Sequence, residues 1–334
     1  MKKTLKLIIT LIIILILTSC TNEKSTEVDG IAIFNKDKNY IIDYIPEEKT
    51  HLREILGKEI NEEVAVITKS GAMNIISYDL FLDKNSESVF TISKDNNKIQ
   101  NVVGIYTSDY FYSITDTYDD MRNYLDNDEK VMVFLLDGFS FEQYKHVKDH
   151  LSFLPQYFIH EALSVYTPVT NAGFAAMITG QTPDINGVHN RSYRDIKVPS
   201  IFDYALHNDK KSILLEGDIK ILNTEIEPEL HLDFNKNGDI DDEVFDTAMK
   251  ATEEDYDLIF IHFHGIDDRG HSYGPMADET LDYIKKIDTY IEELSKVWDG
   301  LMIITADHGM HASDNAGNHG LCLYEDMVVP YFIR

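Results

Sequence analysis

Two textures of hydrophobic and polar positions divide the chain. From residue 131 onward, apolar runs of strand length alternate with stretches whose apolar residues recur at helical spacing. Residues 131–136 (VMVFLL), 212–215 (SILL), 258–263 (LIFIHF) and 301–305 (LMIIT) lack the polar alternation of a half-exposed strand, which predicts strands buried on both faces. The segment 277–298 predicts a helix with Leu281, Ile284, Ile287, Ile291 and Leu294 along one face. Residues 328–334 read as a last strand. Strand and helix in alternation predict an α/β fold over residues 128–334, a doubly wound and largely parallel sheet. Functional residues in such sheets gather at the carboxyl ends of strands. Asp137, Asp267 and Asp307 each fall immediately or shortly after a predicted strand.

Upstream the pattern is shorter and more polar. Residues 47–56 read as a helix, and 88–93 and 99–106 as strands on either side of Asn96-Asn97. They predict a small α+β accessory domain over residues 30–127, and an acidic stretch at 116–130 leads into the second half. Residues 20–29 are polar and without periodicity, as expected of a tether. At the start, Lys2, Lys3 and Lys6 precede an apolar run over 7–17 and then Leu17-Thr18-Ser19-Cys20. Residues 1–19 resemble a bacterial lipoprotein signal peptide, which implies cleavage before Cys20 and its acylation. The apolar run is shorter than the roughly 20 residues a membrane-crossing helix needs. The expected location is therefore extracytoplasmic, held to the cell membrane by lipid on Cys20. Of the two cysteines only Cys322 is then free, so core packing and bound metal must supply what a disulfide cannot.

A hydrophobic share of 43% over 334 residues suffices for a large core. The net charge of −28 argues against a nucleic-acid-binding surface and against attraction to anionic lipid. It suits a protein that collects divalent cations. Nothing in the composition points to a protein partner.

The candidate chemistry lies in scattered aspartates and histidines: Asp137 in LLDG, Asp267 and His271 in DDRGH, Asp307 and His308 in TADHG, and His319 in GNHG. Carboxylate oxygen and imidazole nitrogen together suit zinc and its neighbours. Singly, an aspartate at a strand end is ordinarily a cap and a lone histidine structural. In this order and spacing, residues 131–334 resemble the alkaline-phosphatase superfamily, most closely its nucleotide pyrophosphatase/phosphodiesterase branch. The resemblance implies two divalent metal ions, zinc or alternatively manganese. Asp267, His271 and His319 would hold one, and Asp137, Asp307 and His308 the other, with Thr170 at the second as nucleophile. Thr170 lies ten positions before Gly180, matching the helix-opening nucleophile of the family. A plain helix N-cap is the alternative for this residue.

Asn190 falls where the branch places a ligand for a phosphoryl oxygen, and Asn171 competes for that role. His262, His264, Asp268, Arg269 and His311 lie close to these residues in sequence and read as supporting or surface groups, with Arg269 a candidate substrate contact. The implied activity is hydrolysis of small phosphate esters, either phosphodiesters or nucleotide pyrophosphate bonds, through a phospho-threonine. A phosphomonoesterase on the same metal core is one alternative; a non-catalytic metal- or ligand-binding lipoprotein is the other. No sulfatase signature surrounds Thr170, and the interval from Thr170 to Asp267 is too short for the inserted domain of a phosphoglycerate mutase. Separately, Asp233, Asn235, Asn237, Asp239 and Asp241, with Gly238 in sixth place, follow the start of a calcium loop over 233–244. Val244 stands where the bidentate acid belongs, and an Asn/Gly-rich turn is the equal alternative.

Overall fold

The computed structural model describes residues 30–35, 39–42, 49–56, 63–77, 79–84, 89–94 and 97–334. The signal sequence, Cys20 and the tether lie outside these residues. Among the described residues no helix is long and apolar enough to cross a membrane.

The central sheet has seven strands, in the spatial order Phe158–Leu163, Val328–Ile333, Leu301–Thr305, Val131–Leu136, Leu258–Phe263, Ser212–Glu216 and Glu229–Leu230. Val131–Leu136 pairs in parallel with Leu258–Phe263 on one side and Leu301–Thr305 on the other, and all three strands are buried along their whole length. Burial on both faces is what their unbroken apolar runs require. Ser212–Glu216 and Glu229–Leu230 extend the parallel part, while Val328–Ile333 and Phe158–Leu163 close the other edge antiparallel. The pairing sets Leu136 beside Phe263 and Leu135 beside Thr305, so the three chains leave the sheet along one edge. The long helix Asp278–Ser295 buries Leu281, Ile284, Ile287, Ile291 and Leu294 in the same core.

The upstream half holds two sheets. One has five strands, ordered Asn39–Ile42, Ile31–Phe34, Val102–Tyr106, Glu63–Thr68, Met73–Ser77; the other has four, ordered Thr50–His51, Phe81–Lys84, Phe90–Lys94, Asn97–Gln100. Three sequence expectations change here. The strand expected over 99–106 is two strands in different sheets, because Asn101 takes a left-handed backbone conformation (φ 56°) that breaks the extended chain. Of the helix expected over 47–56, only Leu52–Leu56 is helical among the described residues. The acidic stretch is a helix, Asp116–Asp126, that buries Met121 and Leu125 in the core of the central sheet, so it belongs with the α/β part rather than with the accessory segment. The five-stranded sheet packs Phe34, Ile67 and Tyr106 against Leu163, Tyr324 and Met327, and the Tyr106 hydroxyl donates to Glu161 at 2.6 Å.

Candidate metal centre and nucleophile

Four turns at the carboxyl edge of the central sheet assemble the site. Asp137 directly follows Val131–Leu136 and is 2% exposed. Asp307 and His308 follow Leu301–Thr305 and are fully buried. Asp267 and His271 lie one turn apart on the helix Gly265–Tyr273, which follows Leu258–Phe263. His319 comes just after the short hairpin His311–Ser313 and Ala316–Asn318.

Thr170 begins the helix Thr170–Thr179. The N-cap is Val169, in extended conformation after Pro168, and Thr170 makes no capping bond. Its hydroxyl instead lies 3.5 Å from Asp137 Oδ1 and 3.5 Å from His308 Nε2. The cap reading of Thr170 therefore fails, and the first-turn N–H groups of this helix lie beside a hydroxyl set among acids and imidazoles.

The histidines share one arrangement. Nδ1 of His271 faces the Gly317 carbonyl (3.1 Å), Nδ1 of His308 that of Gly309 (2.9 Å), and Nδ1 of His319 that of Pro168 (3.0 Å). A carbonyl only accepts, so each Nδ1 carries a hydrogen and Nε2 is the nitrogen turned toward the cluster. His308 Nε2 lies 3.3 Å from Asp137 Oδ1 and 3.4 Å from Asp307 Oδ2. His271 Nε2 is 3.3 Å from Asp267 Oδ2, and His319 Nε2 is 3.6 Å from Asp267 Oδ1. Asp267 Oδ1, His271 Nε2 and Asp307 Oδ2 are buried without a hydrogen-bond partner among the described residues. Buried orphan donors and acceptors are costly. Cations at the centre of this cluster would satisfy all three, so the residues present fit divalent metal. Ligand atoms of Asp137, Asp307 and His308 converge as one group, and those of Asp267, His308 and His319 as another. The second group contains His308 where the family pattern has His271, whose Nε2 remains in contact with Asp267.

The electrostatics follow from burial and these neighbours. Burial together with the adjacent Asp137 raises Asp307 to about 7. The Asp267 carboxylate beside its Nε2 raises His271 to about 9, whereas burial and the neighbouring His308 lower His319 to about 3. Burial works against the charged form of His262, but its hydrogen bond to Asp137 and the nearby Glu216 carboxylate win and raise it to about 10.

Other sequence candidates take different places. His262 is fully buried, with Nε2 3.1 Å from Asp137 Oδ2 and Nδ1 3.7 Å from Glu216; His264 Nδ1 also reaches Asp137 Oδ2, at 3.2 Å. These two rings orient the carboxylate from behind, as partners of metal-binding side chains do. Asn190 is exposed, and its Oδ1 accepts from Ser192 N (2.9 Å) and Oγ (2.5 Å). Asn171 gives its amide hydrogens to the carbonyls of Tyr193 (3.0 Å) and Ile221 (3.2 Å), which leaves none for a phosphoryl oxygen. Arg269 is not turned to the cluster: it stacks on Tyr283, with its guanidinium carbon 3.6 Å from the ring centre. His311 bonds Asp326 at 2.8 Å. Asp268 lies beside Asp267, and burial, then the Asp267 charge, raises it to about 6.

In the loop 233–243, Asp233 accepts from Asn237 N (3.1 Å) and Gly238 N (2.9 Å), and Asn235 and Asn237 donate to Asp242. Asp239 and Asp241 point away from the loop's own interior, toward Tyr283 and the helix Gly265–Tyr273. The loop is an Asx-rich turn with two of its expected calcium ligands otherwise engaged. Arg191 went unmarked in the sequence: its Nη2 reaches His319 Nε2 at 2.6 Å, and no local pattern announces it.

Residues 219–327 match the model of the type I phosphodiesterase/nucleotide pyrophosphatase family, a span that contains Asp267, His271, Asp307, His308 and His319. Over these residues the chain is similar to that family. Among curated relatives of the family match, GPI ethanolamine phosphate transferase 3 of Schizosaccharomyces pombe is 35% identical over 95 residues, 28% of this chain and 9% of that protein. Ectonucleotide pyrophosphatase/phosphodiesterase family member 7 of Rattus norvegicus is 42% identical over 73 residues, 20% of this chain and 17% of that protein. The chain thus spans under a fifth of the length of these relatives. Among solved structures, murine ectonucleotide pyrophosphatase/phosphodiesterase 5 aligns with a TM-score of 0.42 at 19% identity, over 56% of this chain and 58% of that one. Phosphonoacetate hydrolase from Sinorhizobium meliloti aligns with a TM-score of 0.44 at 17% identity, over 55% and 57%.

Proposed function

We propose that the chain is a metal-dependent phosphoric ester hydrolase in which Thr170 is the nucleophile, acting on phosphodiester or nucleotide pyrophosphate bonds of small substrates. The observation that carries this reading is the place of the Thr170 hydroxyl, 3.5 Å from both Asp137 and His308 at the start of a helix. The family match supports it, and so do the names of the two curated relatives, both of which describe chemistry at phosphate esters.

Asp137, Asp307 and His308 would hold one dication, and Asp267, His271 and His319 the other. Bound there, zinc-like ions supply charge stabilisation for the attacking and leaving oxygens and lower the pKa of an alcohol. The chain's own groups do the rest. Thr170 Oγ1 gives up its proton and forms a bond to phosphorus as the ester's leaving oxygen departs with the bonding electrons and takes up a proton. The N–H groups of the first turn, which have no partner within the helix, would donate to the phosphoryl oxygens. Hydrolysis of the phospho-threonine then releases phosphate or its monoester and regenerates the hydroxyl. His262 and His264 hold Asp137 in place throughout.

Monoester cleavage uses the same core and is the second reading; the third is metal or ligand binding without turnover. We place the protein outside the cytoplasm on a lipid anchor at Cys20, supported by the sequence of residues 1–20. The deciding experiment compares hydrolysis of a chromogenic diester and a chromogenic monoester, with zinc or manganese added and after chelation. Faster diester turnover that depends on metal and vanishes in Thr170→Ala supports the proposal. Metal binding without turnover of either ester would leave the binding-protein reading.

A further inference from the structure

The loop 233–243 lies outside the Asp/His cluster, yet its two most buried acids reach the element that carries Asp267 and His271. Asp241, 2% exposed, accepts from the main-chain N–H of His264 on Oδ1 and of Gly265 on Oδ2, both at 2.9 Å. These groups open the helix Gly265–Tyr273, where N–H groups have no partner within the helix. His264 occupies the N-cap position and makes no side-chain cap, so a residue distant in sequence supplies what the local sequence lacks.

Asp239, 7% exposed, grips the same helix at its middle. Its Oδ2 pairs with Lys286 and stands 3.7 Å from Arg269 Nη2. The Tyr283 hydroxyl lies 2.6 Å from Asp239 Oδ1 and 2.8 Å from Asp241 Oδ2, and joins the two acids. Arg269 is two residues from both Asp267 and His271. At about 100° per residue it therefore occupies the face opposite the cluster. One face of the helix is held while the other presents its two candidate ligands.

We propose that Asp241 and Asp239 are positioning residues that clamp the helix Gly265–Tyr273 from behind and so set the placement of Asp267 and His271 for a divalent cation. The inference rests on reading the cluster as a metal centre. It gives the acidic motif a role in the site without making the motif itself a metal site.

The test is zinc affinity, measured by competition with a chromogenic chelator, for the wild type, Asp241→Ala, Asp241→Asn and Asp239→Asn, with circular dichroism and thermal unfolding alongside. Asp241→Ala should weaken zinc binding by about 10- to 100-fold, the range seen when partners behind metal ligands are lost. Asp241→Asn keeps one carbonyl acceptor for the helix start and should lose less; it carries the test if the alanine variant fails to fold. Asp239→Asn keeps an acceptor for Tyr283 but loses the charge facing Arg269 and Lys286, and its affinity should also fall. Saturating zinc should restore KM for the diester in all folded variants, which a collapsed substrate site would not allow. Folded Asp241→Asn and Asp239→Asn with wild-type zinc affinity would overturn the proposal. A wild type that binds no zinc would instead remove the metal-centre reading beneath it.

Discussion

Gly173→Ala separates stability from alignment at this site. Gly173 is the fourth residue of the helix that Thr170 begins, and it lies against the backbone of Asp307. A Cβ at 173 would stand 2.7 Å from Asp307 Cβ and 2.8 Å from its carbonyl carbon, and nearer still to the carbonyl oxygen, where ordinary contact begins at 3.4 Å. Asp307 has little room to yield, because its carbonyl also accepts from Ser164 and its carboxylate from Gly138 N and His308 N. The helix must move instead, by about 0.7 Å or more, if packing is to stay dense. Overpacking of this kind costs about 1–3 kcal/mol. Alanine returns about 1 kcal/mol over glycine inside a helix, so the net loss of stability should be about 0–2 kcal/mol. Activity answers to geometry rather than to that balance. Displacing Thr170 relative to Asp307 by nearly 1 Å should lower kcat by about 100-fold. Urea unfolding and steady-state turnover of a chromogenic diester at saturating zinc measure the two quantities. Wild-type turnover in a folded Gly173→Ala would mean that the approach of helix and strand end does not align the Thr170 hydroxyl.

Three other outcomes are expected. Thr170→Ala should lose on the order of 10⁴-fold or more in kcat, as when a catalytic nucleophile is removed, while Thr170→Ser retains turnover; equal loss in both would show that the hydroxyl is not the reacting group. His271 is raised to about 9 in the metal-free protein by Asp267 and must shed its proton to bind a cation, so zinc affinity should rise with pH by about tenfold per unit below 9 and level off above; an affinity flat between pH 6.5 and 9 would exclude His271 as a ligand. Phe174, fully buried against Phe260 and His262, should cost about 3–5 kcal/mol when truncated to alanine, and a loss under about 1 kcal/mol in chemical denaturation would contradict its place in the core.

The inner strands of the central sheet were legible because strands buried on both faces need unbroken apolar runs, whereas the edge strands Phe158–Leu163 and Glu229–Leu230 carry no such run and were not anticipated. The upstream half was not legible in this way, because its strands are short and their borders depend on single backbone conformations. Asn101 sends one apparent strand into two sheets, and no property of residues 97–106 taken as a run reports that bend. The helix Asp116–Asp126 read only as an acidic stretch because its aspartates dominate the pattern, though Met121 and Leu125 on one face are enough to dock it. In the site, Asp137, Asp267 and Asp307 could be found from their position after strands. His262 and Glu216 carried a quieter signal: each is a polar residue in an otherwise apolar buried strand, and both are fully buried. Such a position needs a polar partner inside, and Asp137 is that partner for His262.

The residues hardest to assign from sequence are those whose role depends on another residue's orientation. Three imidazoles offer Nε2 to the cluster only because three backbone carbonyls hold Nδ1, and a sequence does not display carbonyl directions. The same holds for Asn190 and Asn171: the resemblance offers them as competing phosphate ligands, but Asn190 closes a turn on Ser192 and Asn171 ties the loops of Tyr193 and Ile221 to the helix start. Arg191 is the converse case, a side chain with no motif that reaches His319 Nε2. A guanidinium only donates, so this contact independently requires the His319 tautomer that leaves Nε2 as acceptor. The bond to Pro168 requires the same tautomer from the other side of the ring. Two contacts from opposite directions thus agree on the protonation that a metal ligand must have, and neither of them involves a residue of the family motif.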